Sequence, residues 1–315
     1  MPVLEPPAFW PNLRASLQLF RHARPGLTDP AALPVIESHA PAATLDAGWL
    51  VDYRACVGLA ASDALPPLAL QLAAAPLHLT ILADARFPFK ALGLVHLSQQ
   101  ITQWRAIAAD EPVQLRAFTG DARPEKRGMS FCIHTQALCR GELVWQAHTR
   151  ALAPGPTLAV HRQPGAVTQA PAREGSDPSI AASTQKPTSA APDVAPSPAS
   201  EFPLQVPEDM GRRYAAIAGD LNPIHQRALL ARLFGFRRAI VHGTWTLARA
   251  LALADLPGSG AYSLEAAFRR PVELPSDVRV RVWTAASADH TRIEVVRTGT
   301  DALCLAVDLQ QGRPG

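Results

Sequence analysis

The sequence has 315 residues, of which 48% are hydrophobic and 18% are charged, an ordinary composition for a soluble globular protein. Its net charge of +3 and the lack of a long basic cluster argue against nucleic-acid binding. The four cysteines are scattered without a Cys-x-x-Cys pair, so we predict neither a metal centre nor a disulfide framework. There is no signal-peptide pattern and no run that favours a membrane span, so we expect a cytoplasmic protein without a membrane partner.

Residues 1–45 are predicted to be an N-terminal extension, to which we assign no function. The stretch Phe9–Phe20 has the pattern of an amphipathic helix. Prolines interrupt the sequence that follows, at Pro25, Pro30, Pro34 and Pro41.

A first domain is predicted over residues 46–153. Its stretch Pro66–Ala83 is apolar on most faces, as a buried helix is, and Pro76 starts or kinks it. The segments that follow have the alternation of strands; they are Leu92–Ile101, Val113–Thr119, Met129–Ala137 and Glu142–Thr149. One helix followed by antiparallel strands indicates an α+β unit in which a sheet wraps around a helix.

Residues 154–201 have a different composition. Pro, Ala, Ser and Thr dominate this stretch, and it contains no aromatic residue. Such a segment cannot bury enough apolar surface to order itself, so we predict a disordered linker between two domains.

Residues 202–315 repeat the plan of the first domain. The segment Val206–Ala218 leads into a loop, after which a short helix is predicted over Gln226–Leu233 and a buried helix over Thr244–Ala254. Strands follow the buried helix, as in the first domain; they are Tyr262–Arg269, Val278–Thr284, Thr291–Arg297 and Ala302–Leu309. Tyr53 and Gly58 are spaced as Tyr214 and Gly219 are, near the start of each domain. The chain is therefore predicted to contain two copies of one structural unit.

A polar loop distinguishes the second unit. It has the sequence Gly219-Asp-Leu-Asn-Pro-Ile-His225, in which Pro223 has a fixed φ and drives Asn222 out of the α region. The geometry predicted is a tight loop that turns Asp220 and His225 toward a common point. A carboxylate and an imidazole that share one water are a general acid/base pair near neutral pH.

The first unit lacks this pair, because Leu59 and Ala64 occupy the matching positions. It is therefore predicted to be a degenerate copy of the second. One hypothesis makes it a stability partner only. The other has it line an acyl tunnel with residues from Pro66–Ala83 and Leu92–Ile101, in which case Ala74→Trp shifts chain-length preference.

The pattern Tyr-x-x-x-x-Gly-Asp-x-Asn-Pro-Ile-His, followed by Ile240-Val-His-Gly243 and an apolar helix, resembles the MaoC-like dehydratases, which include the (R)-specific enoyl-CoA hydratases. The strong part of this resemblance covers roughly residues 201–310. It implies a double hot-dog fold, in which each repeat is an antiparallel sheet wrapped around a central helix. It also implies an acyl-CoA or acyl-carrier-protein thioester as substrate.

On this reading the chain is a hydro-lyase of fatty acid metabolism. It hydrates a trans-2-enoyl thioester to the (R)-3-hydroxyacyl thioester, or runs the reverse dehydration. Asp220 and His225 are the catalytic residues that hold the water, and which of them takes its proton is left open. Asn222 orients the pair, and the N–H of Gly243, at a helix start, stabilises the oxyanion. No cofactor or metal is expected, and the chain is either a monomeric pseudo-dimer or a homodimer.

Other functions and simpler roles stay open at this point. The fold also suits a thioesterase, or a non-catalytic subunit that binds acyl thioesters. Asp220 can serve as a helix or turn cap, His225 as a structural histidine, Asn222 as a turn former and Gly243 as a close-packing residue. The remaining candidates are predicted to be structural or core residues; they are His242, Tyr53, Tyr214, His78 and His96.

Overall fold

The computed structural model describes residues 3–4, 24–91, 93–155, 198–255, 260–285 and 289–312, and within these ranges the strands form one sheet. The strands are β1 Val3–Leu4, β2 Glu37–Leu45, β3 Val95–Gln103, β4 Val113–Glu125, β5 Gly128–Cys139, β6 Glu142–Pro154, β7 Ser200–Val206, β8 Tyr262–Phe268, β9 Ser276–Thr284, β10 His290–Arg297 and β11 Leu303–Gln311. The helices are α1 Ala47–Val57, α2 Ala69–Ala73, α3 Ala75–Ala83, α4 Met210–Ala218, α5 Ala228–Arg232 and α6 Gly243–Leu253, with 3₁₀ turns at Pro30–Ala32 and Pro223–His225.

The strand order makes the repeat visible. The first half runs β2-β4-β5-β6-β3, and the second runs β8-β11-β10-β9-β7, which is the same order read from the other end. The halves join where β3 pairs antiparallel with β8, from Ser98 opposite Ala267 to Gln103 opposite Tyr262. Because the two middle strands pair with each other, neither half has an open edge at the centre of the sheet. The predicted double hot-dog architecture is confirmed.

The repeated Tyr and Gly spacing has a structural basis in two helices, α1 in the first half and α4 before the polar loop of the second. Helix α1 ends at Gly58 and α4 ends at Gly219, and both glycines take left-handed backbone angles, with φ of 73° and 68°. This conformation closes a helix and suits glycine, which has no Cβ. Tyr53 and Tyr214 lie one turn earlier and are fully buried, as expected of packing residues.

The apolar helices α2 and α3 in the first half and α6 in the second contribute buried side chains to the hydrophobic core. Helix α6 buries most of its side chains, including Trp245 and Leu247, as its apolar sequence predicts. The predicted helix Pro66–Ala83 is divided into α2 and α3, because Pro76 lacks an N–H and is placed in the first turn of α3.

Besides the two-residue β1, two strands were not anticipated from the sequence. Strand β2, which the sequence analysis placed in the N-terminal extension, pairs with β4, and its register shifts between Ala40 and Ala43 around Pro41. Strand β7 contains Pro203 and pairs with β9 at the end of the sheet. Prolines are tolerated at bulges and sheet edges, which is why they obscured these strands.

The domain boundaries stay a prediction. The predicted helix Phe9–Phe20 and most of the predicted linker lie outside the described residues.

Contacts between the two halves gather around α1. The Trp49 indole N–H donates to the Ile217 carbonyl over 2.9 Å, and the Trp245 indole N–H donates to Cys56 over 3.3 Å. Arg249 adds a bond to the Val57 carbonyl at the end of α1. Helix α1 is thus fixed beside α4, the helix that leads into the polar loop.

Among the described residues, no helix has the length and apolar character needed to cross a membrane.

Candidate active site

The polar loop begins where α4 ends at Gly219. Asn222 takes extended angles before Pro223, as predicted, and its side-chain oxygen accepts the Ile224 N–H over 3.4 Å to start the 3₁₀ turn. Its backbone N–H donates to Asp220 Oδ1 over 3.0 Å. Asn222 therefore shapes the turn with its side chain and holds the carboxylate with its main chain.

His225 closes the 3₁₀ turn with its ring buried. Its Nδ1 lies 2.8 Å from the Ile240 carbonyl, which can only accept, so Nδ1 carries the proton and Nε2 faces Asp220. Helix α4 packs closely against this turn: a Cβ added to Gly211 would lie only 2.1 Å from the His225 carbonyl oxygen. A glycine on α4 thus sets the position of the predicted catalytic histidine.

The structure brings Asp220 and His225 together, with His225 Nε2 3.9 Å from Asp220 Oδ2. It adds a third group, His242, whose Nε2 lies 3.7 Å from the same carboxylate oxygen and donates to the Asp220 carbonyl over 3.1 Å. The two imidazoles stack with centroids 3.7 Å apart. The side chain of Asp220 is 52% exposed while that of His242 is 3% exposed, so one carboxylate faces solvent above two buried rings.

The sequence analysis left His242 as a structural residue, and its place beside the pair was missed. One signal was available: His242 is a polar residue that follows the apolar run Ala239–Val241 and directly precedes α6. A side chain at the N-terminus of a helix can face a site at that end of the helix. His242 Nδ1 is buried and has no hydrogen-bond partner among the described residues. Its Nε2 bond to the Asp220 main chain fixes both the ring and the loop.

Burial and the neighbouring groups set the charges of this cluster. Burial acts to raise the pKa of Asp220, but His242, His225 and the Asn222 N–H together outweigh it, so the pKa lies below the ordinary value. Burial lowers the pKa of His242 to about 3, and the His225 ring adds to this effect while Asp220 opposes it. At neutral pH the cluster therefore holds a carboxylate next to a neutral His242.

Gly243 is the first residue of α6 and lines the cavity beside the cluster. The first N–H groups of a helix have no partner within it, so they are available to an anionic atom. A Cβ at this position would lie 2.9 Å from the Phe268 ring. The close-packing role suggested for Gly243 is therefore real, and it does not conflict with the oxyanion role, which stays a prediction.

A cavity of about 300 Å³ opens beside these groups. Its wall is mainly apolar, with Leu94, Ile240 and Phe268 among the lining residues, and Arg269 and Arg270 add positive charge. The first half contributes residues 94–96 at the start of β3 and nothing from α2 or α3. The tunnel hypothesis is thus supported for this strand but not for the helix.

Two histidines of the first half differ in their surroundings. His96 lines the cavity and its ring contacts Phe268 with centroids 4.4 Å apart, so it is more than the core residue we predicted. Its Nε2 is held by the Ser98 carbonyl over 3.1 Å. His78 is instead bonded to Thr135 over 2.8 Å, away from the cavity lining.

The ligand atoms of Asp220, His225 and His242 all lie within 4.8 Å of one another, a spacing that is also compatible with a metal ion. The same set suits a water held by a carboxylate and an imidazole. The prediction of a metal-free site therefore needs an experiment, which is given below.

Comparison with known proteins agrees with this arrangement. Residues 188–303 match the MaoC like domain. The 3-hydroxyacyl-thioester dehydratase X of Mycobacterium tuberculosis (strain ATCC 25618 / H37Rv) is 30% identical over 237 residues, which span 74% of this chain and 74% of that protein.

Solved structures give the same result for the fold. The crystal structure of HtdX from Mycobacterium tuberculosis has a TM-score of 0.67 at 25% identity, over 87% of this chain and 99% of that one. A MaoC-like dehydratase from Phytophthora capsici has a TM-score of 0.64 at 16% identity, over 90% and 98% of the two chains.

Fold and relatives together define a hydro-lyase built from two hot-dog units. The chain belongs to the MaoC-like dehydratase family. The resemblance seen in the polar loop and in Ile240–Gly243 is confirmed.

Proposed function

We propose that this enzyme adds water to the 2,3 double bond of a trans-2-enoyl thioester to give the (R)-3-hydroxyacyl thioester, or catalyses the reverse dehydration. The observation that carries the proposal is the Asp220 carboxylate facing His225 Nε2 beside an apolar cavity, in a member of a dehydratase family. The relative named above acts on 3-hydroxyacyl thioesters, which supports a thioester substrate here.

The gap between the two groups suits a water molecule. A separation of 3.9 Å between His225 Nε2 and Asp220 Oδ2 is too long for a direct hydrogen bond. It is short enough for both atoms to contact one water that lies beside the line between them. The exposed carboxylate gives this water access from the cavity.

We assign the base role to Asp220, because its lowered pKa keeps it ionised. In hydration, the water oxygen bonds to C3 while Asp220 accepts one of the water's protons. The Nε2–H of His225 in its imidazolium form gives a proton to C2, so one water adds in total. Proton exchange across the water-filled gap then restores both groups.

Two further residues support this step. Negative charge moves to the thioester oxygen as the C3–O bond forms, and the Gly243 N–H at the start of α6 stabilises it. His242 acts as a positioning residue, because its Nε2–H bonds the Asp220 main chain and its ring supports His225. The thioester itself acidifies C2, so the reaction needs no cofactor.

An assay on a short-chain enoyl-CoA tests the proposal and separates its alternatives. Loss of absorbance from the conjugated double bond supports hydration, release of free thiol indicates a thioesterase, and neither change indicates a subunit that only binds. Chiral analysis of the 3-hydroxy product tests the (R) assignment. Activity that survives a strong chelator supports the metal-free site, and activity that requires added metal contradicts it.

The substrate carrier, the assembly and the location belong to the same proposal. Arg269 and Arg270 lie exposed at the cavity and suit the phosphate groups that both CoA and a carrier protein's pantetheine carry.

The β3–β8 junction already pairs two hot-dog units within one chain, which supports a monomeric pseudo-dimer over a homodimer. A cytoplasmic location and a role in fatty acid metabolism remain predictions.

A further inference from the structure

A second cluster of chemically active side chains lies on the first half, away from the cavity. Its centre is the bulge in β4, where the register with β5 shifts between Gly120 and Arg123. Asp121 sits in this bulge with φ of 50°, a left-handed angle that few residues other than glycine adopt. The bulge thereby turns the Asp121 carboxylate toward β5.

Strand β5 presents two potential ligands to this carboxylate. Cys132 and His134 are two residues apart, so they share one face of the strand, while Ile133 between them points into the core. Cys132 is 3% exposed. His134 Nε2 lies 3.3 Å from Asp121 Oδ2, and the ligand atoms of Asp121, Cys132 and His134 all lie within 4.8 Å of one another.

We propose that Asp121, Cys132 and His134 form a binding site for Zn²⁺ or a similar thiophilic divalent ion. Zinc bonds to nitrogen and oxygen are about 2.0–2.1 Å long, so two such ligands of a tetrahedron lie about 3.3–3.4 Å apart. The His134–Asp121 distance of 3.3 Å meets this requirement before any ion binds. Asp121 is half exposed, so water occupies the fourth position.

The neighbours of His134 permit two tautomers: in one Nε2–H donates to Asp121, and in the other Nε2 carries a free lone pair. Its Nδ1 lies 2.9 Å from His148 Nδ1, and one of these two nitrogens must carry the proton. When His134 donates, its Nε2 is left as an acceptor aimed at Asp121, which is the tautomer that binds metals. Gly120 keeps this space open, because a Cβ there would lie 2.9 Å from Nε2.

The surroundings also select the kind of ion. Arg150 lies opposite Cys132 in the β5–β6 pairing and donates to the Asp121 carbonyl over 3.1 Å. This positive charge disfavours a weakly bound hard cation such as Mg²⁺. An ion with high affinity for thiolate and imidazole overcomes the repulsion, which points to zinc over magnesium or calcium. The sequence analysis predicted no metal centre, because these ligands come from two strands and form no compact motif.

Cobalt provides a direct test, because Co²⁺ occupies zinc sites and a thiolate ligand gives it a charge-transfer band in the near ultraviolet. The full chain, freed of metal by chelation, is titrated with Co²⁺ and then with Zn²⁺. We expect a thiolate–cobalt band that saturates at one equivalent and disappears as zinc displaces cobalt. Absence of the band in the wild-type chain overturns the proposal and leaves His134 in a simple hydrogen bond to Asp121.

Matched variants locate the ligands. Cys132→Ser should abolish the band, whereas Cys304→Ser at the cavity and Cys139→Ser on the same strand should retain it. Asp121→Asn keeps the shape of the side chain and tolerates the left-handed angle, so it tests the site even if Cys132→Ser fails to fold. It should weaken Co²⁺ binding by about 10–100-fold or more. Asp220→Asn should have no effect on the band.

Three outcomes contradict the assignment. A band that persists in Cys132→Ser, or one that is lost in Cys304→Ser, places the thiolate ligand elsewhere. Unchanged affinity in Asp121→Asn removes the carboxylate from the site. A rise in Tm with Zn²⁺ in the wild type but not in Asp121→Asn gives independent support, because a bound ion ties β4 to β5.

Discussion

At the scale of single residues, the site depends on hydrogen bonds that assign a different task to each member of the cluster. The Ile240 carbonyl fixes the tautomer of His225, and the Asn222 main chain holds one oxygen of Asp220. The other oxygen faces the two imidazoles at 3.7 and 3.9 Å. A substitution that keeps the shape of a side chain but removes its charge should therefore affect catalysis more than folding at this site.

The first prediction concerns the acid/base pair. Asp220→Asn and His225→Gln should each lower kcat for hydration by about 10²–10⁴-fold, because each removes a positioned acid or base. Asp220 is half exposed, so its isosteric variant should change the unfolding free energy little. The measurement is kcat on a short enoyl-CoA, with Asp308→Asn, on the solvent-facing side of β11, as a control. Near-normal turnover in either variant contradicts the assignment.

The second prediction concerns His242 and the dependence of stability on pH. The unfolded chain takes up a proton at this histidine near pH 6.5, whereas the folded chain does so only near pH 3. Stability from this residue is therefore present above pH 6.5 and is lost as the pH falls through this window. At pH 5 the loss is about 2 kcal/mol.

His242→Gln should remove this part of the acid sensitivity. Denaturant unfolding of wild type and variant at pH 7.5 and at pH 5 measures the effect, and the difference between the two pH values should be smaller in the variant. Equal pH dependence of the two proteins would mean that His242 is not held neutral by burial.

At the scale of elements, the Pro223–His225 turn is held by the helix packed against it. Helix α4 can approach the Pro223–His225 turn only because Gly211 has no side chain there. The contact is with a backbone carbonyl, which cannot rotate away as a side chain can. The position of His225 is thus decided by a residue that takes no part in the chemistry.

Gly211→Ala should therefore lower kcat although it alters no reacting group. The new Cβ must displace the turn, and a misplacement near 1 Å is enough to cost about 10²-fold in rate. It should also destabilise the fold by about 1–3 kcal/mol through overpacking. Gly260→Ala is the control, because a Cβ there meets nothing within 4 Å. Full activity in Gly211→Ala would show that the turn is not held by this contact.

A fourth prediction concerns the cavity wall after β8, where Arg269 and Arg270 follow the end of the strand. Replacing both with Gln should raise KM for a CoA thioester several-fold and leave kcat nearly unchanged, because a positive rim assists capture of phosphates but not chemistry. The difference from wild type should shrink at high salt, since exposed charges are screened. Arg279→Gln on β9 is the control. A fall in kcat with KM unchanged contradicts a binding role.

The sequence predicted most elements of each half because strands alternate and the central helix of the second half is apolar. It also predicted the Asp220–His225 pair, because a proline loop and a local motif bring them together over a short span. His242 was missed because its contact with Asp220 arises only when α6 meets the loop. Strand β2 was missed because Pro41 resembles a loop residue until the bulge that accommodates it is known.

At the scale of the whole molecule, the two halves form one sheet and share one site. The first half carries no acid/base pair, yet it closes the sheet at β3–β8 and supplies residues 94–96 to the cavity. Its α1 also receives bonds from both Trp245 and Arg249 on α6. This half therefore supplies part of the cavity wall and supports α6.

The last prediction is that the halves hold together without a covalent connection. In the test a specific protease site is placed between residues 165 and 185, within the predicted linker. The two fragments of the cut chain should co-elute at micromolar concentration and keep hydratase activity. The reason is that the β3–β8 pairing and the buried surfaces around α1 and α6 join the halves over an extended interface. Trp49→Phe combined with Trp245→Phe keeps the aromatic rings but removes both indole bonds across this interface. It should raise the concentration that the cut fragments need in order to stay together, while the uncut double variant remains active. Separation of wild-type fragments at micromolar concentration would mean that the tether, and not burial, holds the two units as one enzyme.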